Sequence, residues 1–213
     1  MRILVVAATQ QEIAPFINSE IDTLICGVGI PATVYHLTRK ILHEKYDIII
    51  QAGIAGSFSK NFKKGEVVVV EQDAFADIGA EEKRKFRTLF QLGFGDENLF
   101  PFSSGWLINF SKISESIDLK KAKAVTVNKI NDRKKQTKLL KKSFKADIES
   151  MEGAAFHYVC LQEKVPFIQL RSISNKVGER DKSKWEFKEA IENLNHELKR
   201  IVELLINNNQ WKN

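Results

Sequence analysis

Strand-like segments alternate with amphipathic stretches along this chain. The first, residues 3–8, is continuous, apolar and β-branched, which is typical of a strand buried on both faces, and further strands are predicted at residues 23–26, 47–51, 66–70, 122–128, 146–149 and 166–174. Apolar residues spaced by three or four predict helices, one beginning at Thr9 and others at 34–42, 132–142, 151–163 and 183–207. Because strands and helices alternate, the pattern predicts an α/β fold with a mostly parallel or mixed sheet.

Residues 73–118 break this alternation. They contain eight Phe or Trp residues and show little periodicity, so we expect a long excursion with short elements. Excursions of this length are often lids or binding loops, although their aromatic side chains are as well explained by packing beneath a loop.

The overall composition limits the class of protein. A chain of 213 residues without internal repeats or linkers predicts one domain over residues 1–213. It has no apolar run of membrane-spanning length, and its two cysteines are too few for a disulfide framework, so we expect a cytoplasmic protein. The net charge of +6 suits an anionic ligand but is far weaker than a nucleic-acid footprint, and we expect no binding to nucleic acid or membrane.

Glycine and polar residues gather where the predicted strands end. Ligands of open α/β sheets bind beyond the carboxyl ends of the strands, which makes candidates of Thr9 to Glu12, Gly27 to Gly29, Gly53 to Gly56, Ser150 to Gly153, and Asn175. The four histidines are scattered without metal-ligand spacing, so no metal site is predicted.

Each candidate also has a purely structural explanation. Thr9 and Glu12 form the S/T-x-x-E pattern of a helix capping box. The glycines are common at turns between strands and helices. Glu152 is expected in the first turn of a helix, where the macrodipole favours a carboxylate, and Asn175 suits an ordinary turn. At this level both explanations stay open.

Five segments, taken in order, resemble the nucleoside phosphorylase and nucleosidase superfamily. They are residues 3–12, 26–29, 51–56 with 64–69, 150–155 and 165–175. The resemblance implies a single-domain α/β fold, nucleoside phosphorylase-like, with a central mixed β-sheet flanked by helices. It also implies a small-molecule nucleoside substrate, water as co-substrate, no cofactor and no metal, and a homodimer or higher homo-oligomer.

Within that superfamily the chain most resembles the futalosine hydrolases. The supporting segments are Asp77 to Glu81, Met151 to Ala154, and Ser172 to Asn175 followed by Val177 to Asp181. The resemblance implies cleavage of the N-glycosidic bond of futalosine, with release of hypoxanthine and dehypoxanthine futalosine, in menaquinone biosynthesis. It assigns no role to Asp77 or Glu81.

The resemblance also implies roles for individual residues. Glu12 would be the general base that activates water, Glu152 would bind the ribose hydroxyls, and Asn175 would hold the purine. Met151 would pack under the sugar, and the backbone of Gly53, Ile54, Ala55 and Gly56 would line the site. Ile130 stands where related nucleosidases place an aromatic over the purine. The acidic aromatic arm of the substrate has Arg84, Lys85 and Arg180 as candidate partners.

The chemistry of Asn175 favours a 6-oxopurine. Its amide can donate to O6 and accept from a protonated N7, whereas a carboxylate would face O6 with another acceptor. The related methylthioadenosine/S-adenosylhomocysteine nucleosidases usually carry Asp at this position. Such a nucleosidase and a phosphate-dependent purine nucleoside phosphorylase are the enzymatic alternatives, and a nucleoside-sensing or nucleic-acid-binding module is the non-enzymatic one.

Overall fold

The computed structural model describes residues 1–17, 19–82 and 85–207. Within these ranges the strands are β1 (Ile3–Ala7), β2 (Asp22–Ile25), β3 (Ile48–Ser57), β4 (Val67–Phe75), β5 (Gly79–Glu82), β6 (Lys85–Thr88), β7 (Leu107–Ile108), β8 (Lys121–Thr126), β9 (Ile148–Ser150) and β10 (Phe167–Lys176). The α-helices are α1 (Ile30–His43), α2 (Lys112–Ser116), α3 (Lys134–Phe144), α4 (Gly153–Gln162) and α5 (Phe187–Asn207). Two 3₁₀ segments cover Gln10–Phe16 and Lys182–Lys184. Arg84, a candidate for the substrate arm, lies outside the described residues.

The main sheet is mixed and closes on itself. Its order is β10-β4-β8-β9-β3-β1-β2, and β10 also pairs with β3. Five strands therefore form a ring, while β1 and β2 extend it from β3. The pairs β1–β2, β1–β3, β3–β10, β4–β8 and β8–β9 are parallel, and β4–β10 and β3–β9 are antiparallel. The predicted α/β class with a central mixed sheet is confirmed.

Helices cover both faces of the β1–β3–β10 region. Helix α5 packs Leu194, Leu198 and Leu205 against apolar side chains of β1, β3 and β10. Helices α1 and α4 cover the opposite face through residues such as Leu37 and Phe156. The helical spacing predicted for 183–207 therefore identifies the buried face of α5.

Three predicted elements differ most from the structure. The third strand does not end at residue 51: β3 continues to Ser57, because β10 pairs with it from Ile49 to Ser57 and β9 pairs with Gly56 and Ser57. The helix expected from Thr9 is a 3₁₀ segment kinked at Ile13, with Pro15 inside it. The fourth strand runs on to Phe75 because β7 and β8 both pair with its second half.

The excursion at 73–118 contains the hairpin β5–β6, the short strand β7 and helix α2. Some of its aromatics pack: Phe90 lies edge-on to Phe102, with ring centroids 5.1 Å apart, and Trp106 contacts Phe144. Others, such as Phe94 and Phe110, are exposed. Packing therefore explains part of this aromatic set. No helix in the described part of the chain is long and apolar enough to cross a membrane.

Candidate active site

A cleft of about 870 Å³, solvent at its mouth included, opens where β1, β3 and β10 end. The predicted site residues that line it are Glu12, Ile54, Ala55, Gly56, Ile130, Met151, Glu152 and Asn175. Gly53 lies beneath this lining and supports it. The sequence-predicted residues, drawn from segments more than 100 residues apart, thus share one cavity.

Glu12 is held by backbone and side-chain donors. Its Oε1 accepts a hydrogen bond from the Ile54 N–H at 3.1 Å, and its Oε2 accepts from the Thr9 N–H and hydroxyl at 2.9 and 3.1 Å. The side chain is 5% exposed. A carboxylate offers about four lone-pair positions, so three donors leave one position for a ligand or water. Glu12 therefore belongs to the capping box of Thr9 and also lines the cavity.

Glu152 lies across from Glu12 at the start of α4. Its Oε1 accepts from the Gly29 N–H at 3.1 Å, and its Oε2 lies 3.5 Å from Nη1 of Arg171. Burial raises the pKa of Glu152, the Arg171 guanidinium lowers it by less, and the charge of Glu12 adds a smaller raising effect. The predicted glycine turn thus orients a carboxylate as well as connecting β2 to α1.

Arg171 is the buried counter-charge of the site. It is 1% exposed, and its Nη2 donates to Oε1 of Gln51 at 2.9 Å. Its guanidinium occupies the space where Gly53 would carry a Cβ, which would also lie 3.1 Å from Oε1 of Glu12. Gly53 therefore leaves room for the Arg171 guanidinium beside Glu152 and for the Glu12 carboxylate, without itself lining the cleft.

Asn175 presents an oriented amide. Its Nδ2 donates to the Lys176 carbonyl at 2.9 Å, and its Oδ1 accepts from the Ser174 hydroxyl at 2.8 Å. A carbonyl can only accept, so the Lys176 contact identifies the amide end that carries hydrogen. A carboxylate at this position would place two acceptors 2.9 Å apart. The local backbone therefore suits Asn and disfavours an ionised Asp.

The cleft contains residues that the sequence patterns did not single out. Glu149, Ser174, Trp185 and Phe187 also line it. Phe187 fell on the predicted apolar stripe of α5, but it is 39% exposed and faces the cleft mouth instead of the core. The pattern carried no signal for Glu149, because the short strand β9 is too brief to show which of its side chains face the core.

The charge of the lining is one-sided. Glu12, Glu149 and Glu152 are the charged side chains among the described residues that line the cleft, and none of those residues is Lys or Arg. Arg171 lies behind the wall, paired to Glu152. Within the described ranges no group of three or more His, Cys, Asp or Glu side chains is arranged to bind a metal ion. The cavity therefore favours a ligand that develops positive charge over a free anion.

A buried polar cluster supports the start of α4 from behind. Asp73 accepts from the Thr126 hydroxyl at 3.0 Å and from Nε2 of Gln169 at 3.3 Å. The Thr126 oxygen accepts in turn from the Ala154 N–H at 2.7 Å. A Cβ at Gly153 would overlap Asp73 and Gln169. This close packing fixes the helix end that carries Glu152.

Comparison with known proteins identifies the family. The family model described as "Phosphorylase superfamily" matches residues 21–207, most of the chain. The chain belongs to the phosphorylase superfamily. The resemblance inferred from five short segments is thereby confirmed.

Relatives within the phosphorylase superfamily carry two names. A futalosine hydrolase of Thermus thermophilus is 31% identical over 70% of this chain and 67% of the relative. Another, from Streptomyces coelicolor, is 28% identical over 90% of this chain and 81% of the relative. A 5′-methylthioadenosine/S-adenosylhomocysteine nucleosidase of Buchnera aphidicola is 27% identical over 82% and 78%.

A solved structure confirms the fold. The native futalosine hydrolase of Helicobacter pylori superposes with a TM-score of 0.77 at 21% identity, covering 94% of this chain and 97% of the other. At that identity the likeness concerns the fold alone. The choice of substrate therefore depends on the side chains of the cleft.

Proposed function

We propose that this phosphorylase-superfamily protein hydrolyses the N-glycosidic bond of futalosine and releases hypoxanthine and dehypoxanthine futalosine. Support comes from the futalosine hydrolases at 28–31% identity and from the carboxamide at Asn175. The observation that carries hydrolysis is the lining of the cleft, which has three carboxyl groups and, among its described residues, no cation. A phosphorylase must hold phosphate beside the sugar, and this lining would repel it.

Glu12 is the proposed general base. Its two oxygens are held by Ile54 and Thr9, so the remaining lone pair has a fixed direction in the cleft. A water molecule bound there would lose a proton to the carboxylate as it attacks C1′ of the ribose. The small exposed fraction of Glu12 keeps bulk water away and strengthens this interaction.

Glu152 is proposed to bind the ribose. One of its oxygens accepts from Gly29 and the other faces Arg171, which leaves lone pairs for the 2′- and 3′-hydroxyl groups. Cleavage of the C1′–N9 bond develops an oxocarbenium-like charge on the sugar, and a fixed carboxylate beside it stabilises that charge. Met151, next along the chain and also in the lining, would pack under the sugar.

Asn175 is proposed to hold the purine. Its second amide hydrogen would donate to O6, and its Oδ1 would accept from N7 once that atom is protonated, so the base leaves as neutral hypoxanthine. Ile130 and the backbone of Ile54, Ala55 and Gly56 would complete the purine and sugar contacts. A base with an amine at position 6 would leave the Asn175 donor facing a donor.

The test is product analysis by chromatography. The purified chain is incubated with futalosine, inosine and methylthioadenosine, each with and without phosphate. We expect hypoxanthine from futalosine at a rate independent of phosphate. Strict dependence on phosphate would refute hydrolysis, and faster release of adenine from methylthioadenosine would refute the assignment of the base.

A variant links the reaction to this cleft. Asn175→Asp should lower kcat/KM for futalosine by about 100-fold, because the carboxylate faces both O6 and the Lys176 carbonyl. Glu163→Gln, an exposed change at the far end of α4, is the matched control and should leave the rate unchanged. A similar loss in both variants would contradict the role of Asn175.

Domain extent, assembly and location belong to the same proposal. One domain over residues 1–213 is supported by β10 and α5, which complete the sheet and core begun by β1–β3. A homodimer or higher oligomer is supported by exposed apolar side chains, including Val28 in the cleft lining and Tyr35 on α1. A cytoplasmic location is supported by two free, buried thiols, Cys26 and Cys160.

A further inference from the structure

Gly56 pairs with a polar residue on each side. On β10 its partner is Asn175, and on β9 its partner is Glu149. Residues directly opposite in a sheet point to the same face, so Asn175 and Glu149 flank a position that has no side chain. Strands lie about 4.8 Å apart, which puts the two flanking Cα atoms about 10 Å apart. The register thus forms a slot with Gly56 at its floor, narrowed by the Val177 side chain that packs there, and with a polar wall on either side.

Glu149 is buried without a side-chain partner among the residues that the structure describes. It is 8% exposed, lines the same cleft as Asn175, and makes no side-chain hydrogen bond or ion pair with another described residue. Its oxygens are not among the fully buried, unpartnered atoms, so they face the cleft, where a ligand can replace water as their hydrogen-bond partner. A carboxyl group in this position is therefore ready to accept from a ligand.

The two walls match the edge of one kind of base. A 6-oxopurine presents the acceptor O6 beside the donor N1–H, whereas adenine presents a donor amine beside the acceptor N1. Asn175 is proposed to read O6 and N7, which directs N1 away from it and towards the opposite side of the slot. We propose that Glu149 is a specificity-determining residue that accepts a hydrogen bond from the N1–H of the bound 6-oxopurine. This inference rests on the proposed function.

The surroundings of Glu149 favour a ligand that donates a hydrogen bond to its carboxyl group. Burial raises the pKa of Glu149 to about 7, with a further contribution from the charge of Asp77. The Asp77 carboxylate is itself held by the backbone N–H groups of Asn128 and Lys129. A base that donates N1–H supplies Glu149 with the hydrogen bond that no described residue provides. Above pH 7, where Glu149 is ionised, a base with a lone pair at N1 would instead oppose the carboxylate, so the two bases are compared at pH 8.

The experiment compares two substrates and two variants. Hydrolysis of inosine and adenosine is measured for the wild-type chain, Glu149→Leu and Glu149→Gln, with Glu163→Gln as control and futalosine as the reference substrate. Glu149→Leu should lower the ratio of kcat/KM for inosine over adenosine by about 10- to 100-fold. Glu149→Gln should keep kcat/KM for inosine near the wild-type value, because its amide oxygen still accepts from N1–H, but its NH₂ can donate to N1 of adenosine, so the ratio should fall through a gain for adenosine.

Product inhibition gives an independent readout. The inhibition constant of free hypoxanthine should rise by the same factor in Glu149→Leu, while that of adenine should not. Parallel loss for both bases, or an unchanged ratio in a folded Glu149→Leu chain that still hydrolyses futalosine, would overturn this inference and leave the proposed function standing. A wild-type chain that releases no hypoxanthine would overturn the proposed function together with this inference.

Discussion

The buried carboxyl of Asp73 makes a sharp prediction about stability. It lies on β4 behind the start of α4, accepting from Thr126 and Gln169. Burial raises its pKa to about 7, although Arg171 and its hydrogen bonds act in the opposite direction. We predict that Asp73→Asn stabilises the protein at pH 8, even though it removes a charge next to a buried arginine.

Two buried polar atoms near Asp73 explain why the Asn variant should be more stable. Oε1 of Gln169 and Nε2 of His157 are buried and have no hydrogen-bond partner in the described part of the chain, and Nδ1 of His157 faces the Leu107 carbonyl at 3.0 Å. If Asp73 carries a proton, the Gln169 amide can turn, accept that proton with its oxygen and direct its NH₂ towards His157. An Asn at position 73 supplies the same donor at every pH.

The magnitude follows from the two pKa values. A folded pKa of about 7 against an unfolded value of 3.8 means that the folded chain binds the proton more tightly. The corresponding stability is present below about pH 4 and is lost as the pH rises to about 7, by about 4 kcal/mol at most. Asp73→Asn has no carboxyl group to titrate and does not lose this stability. The difference in unfolding free energy between the variant and wild type should therefore grow with pH and level off above pH 7.

The assay is urea unfolding at pH 5 and pH 8. The difference between wild type and Asp73→Asn isolates this group, because the other titrating side chains are common to both. Asp132→Asn, an exposed change, is the control. It should change the unfolding free energy by no more than about 0.5 kcal/mol at either pH. A variant that is less stable than wild type at pH 8 would refute the reasoning and indicate an ionised Asp73 paired with Arg171.

Three further predictions concern the cleft. Glu12→Gln should lower kcat for hypoxanthine release by about 10²–10⁴-fold with little change in Tm; a rate within tenfold of wild type would exclude its role as base. Gly53→Ala should lower the unfolding free energy by about 1–3 kcal/mol, because the methyl overlaps Arg171; urea curves that coincide with wild type would contradict this. Asn195→Ala removes a hydrogen bond to the backbone carbonyl of Glu12. It should lower the unfolding free energy by about 1 kcal/mol and kcat by less than tenfold. A loss of kcat as large as that of Glu12→Gln would show that Asn195 does more than position the segment that carries Glu12.

The site residues at the edge of the sheet could be predicted from the sequence, because they follow strand patterns that the sequence itself shows. Strand runs followed by Glu12 and Asn175 indicated a shared site, since the carboxyl ends of parallel strands meet. Glu152 follows β9, which reaches the same edge although it runs antiparallel to β3. The structure brings all three into one cleft. The capping-box explanation for Thr9 and Glu12 was correct as well, because one carboxylate oxygen serves the cap and the other accepts from Ile54.

The positions of Arg171, the buried counter-charge, and of Glu149, the polar residue across Gly56 from Asn175, could not be predicted in the same way. Residues 167–175 are buried throughout, so polar and apolar side chains are buried on both faces of β10 and the pattern does not tell which face carries the site. The position of Glu149 depends on antiparallel pairing between β9 and β3, a register set by strands that are about 90 residues apart. Only the assembled ring determines both.

That ring also has a consequence for synthesis on the ribosome. Strand β3 finds its longest partner in β10, about 110 residues later in the chain. At about 5–20 residues per second, translation delivers that partner only after about 5–20 s. During this interval an apolar strand remains without one neighbour, so nascent chains stalled before residue 167 should be bound by chaperones far more than the completed protein.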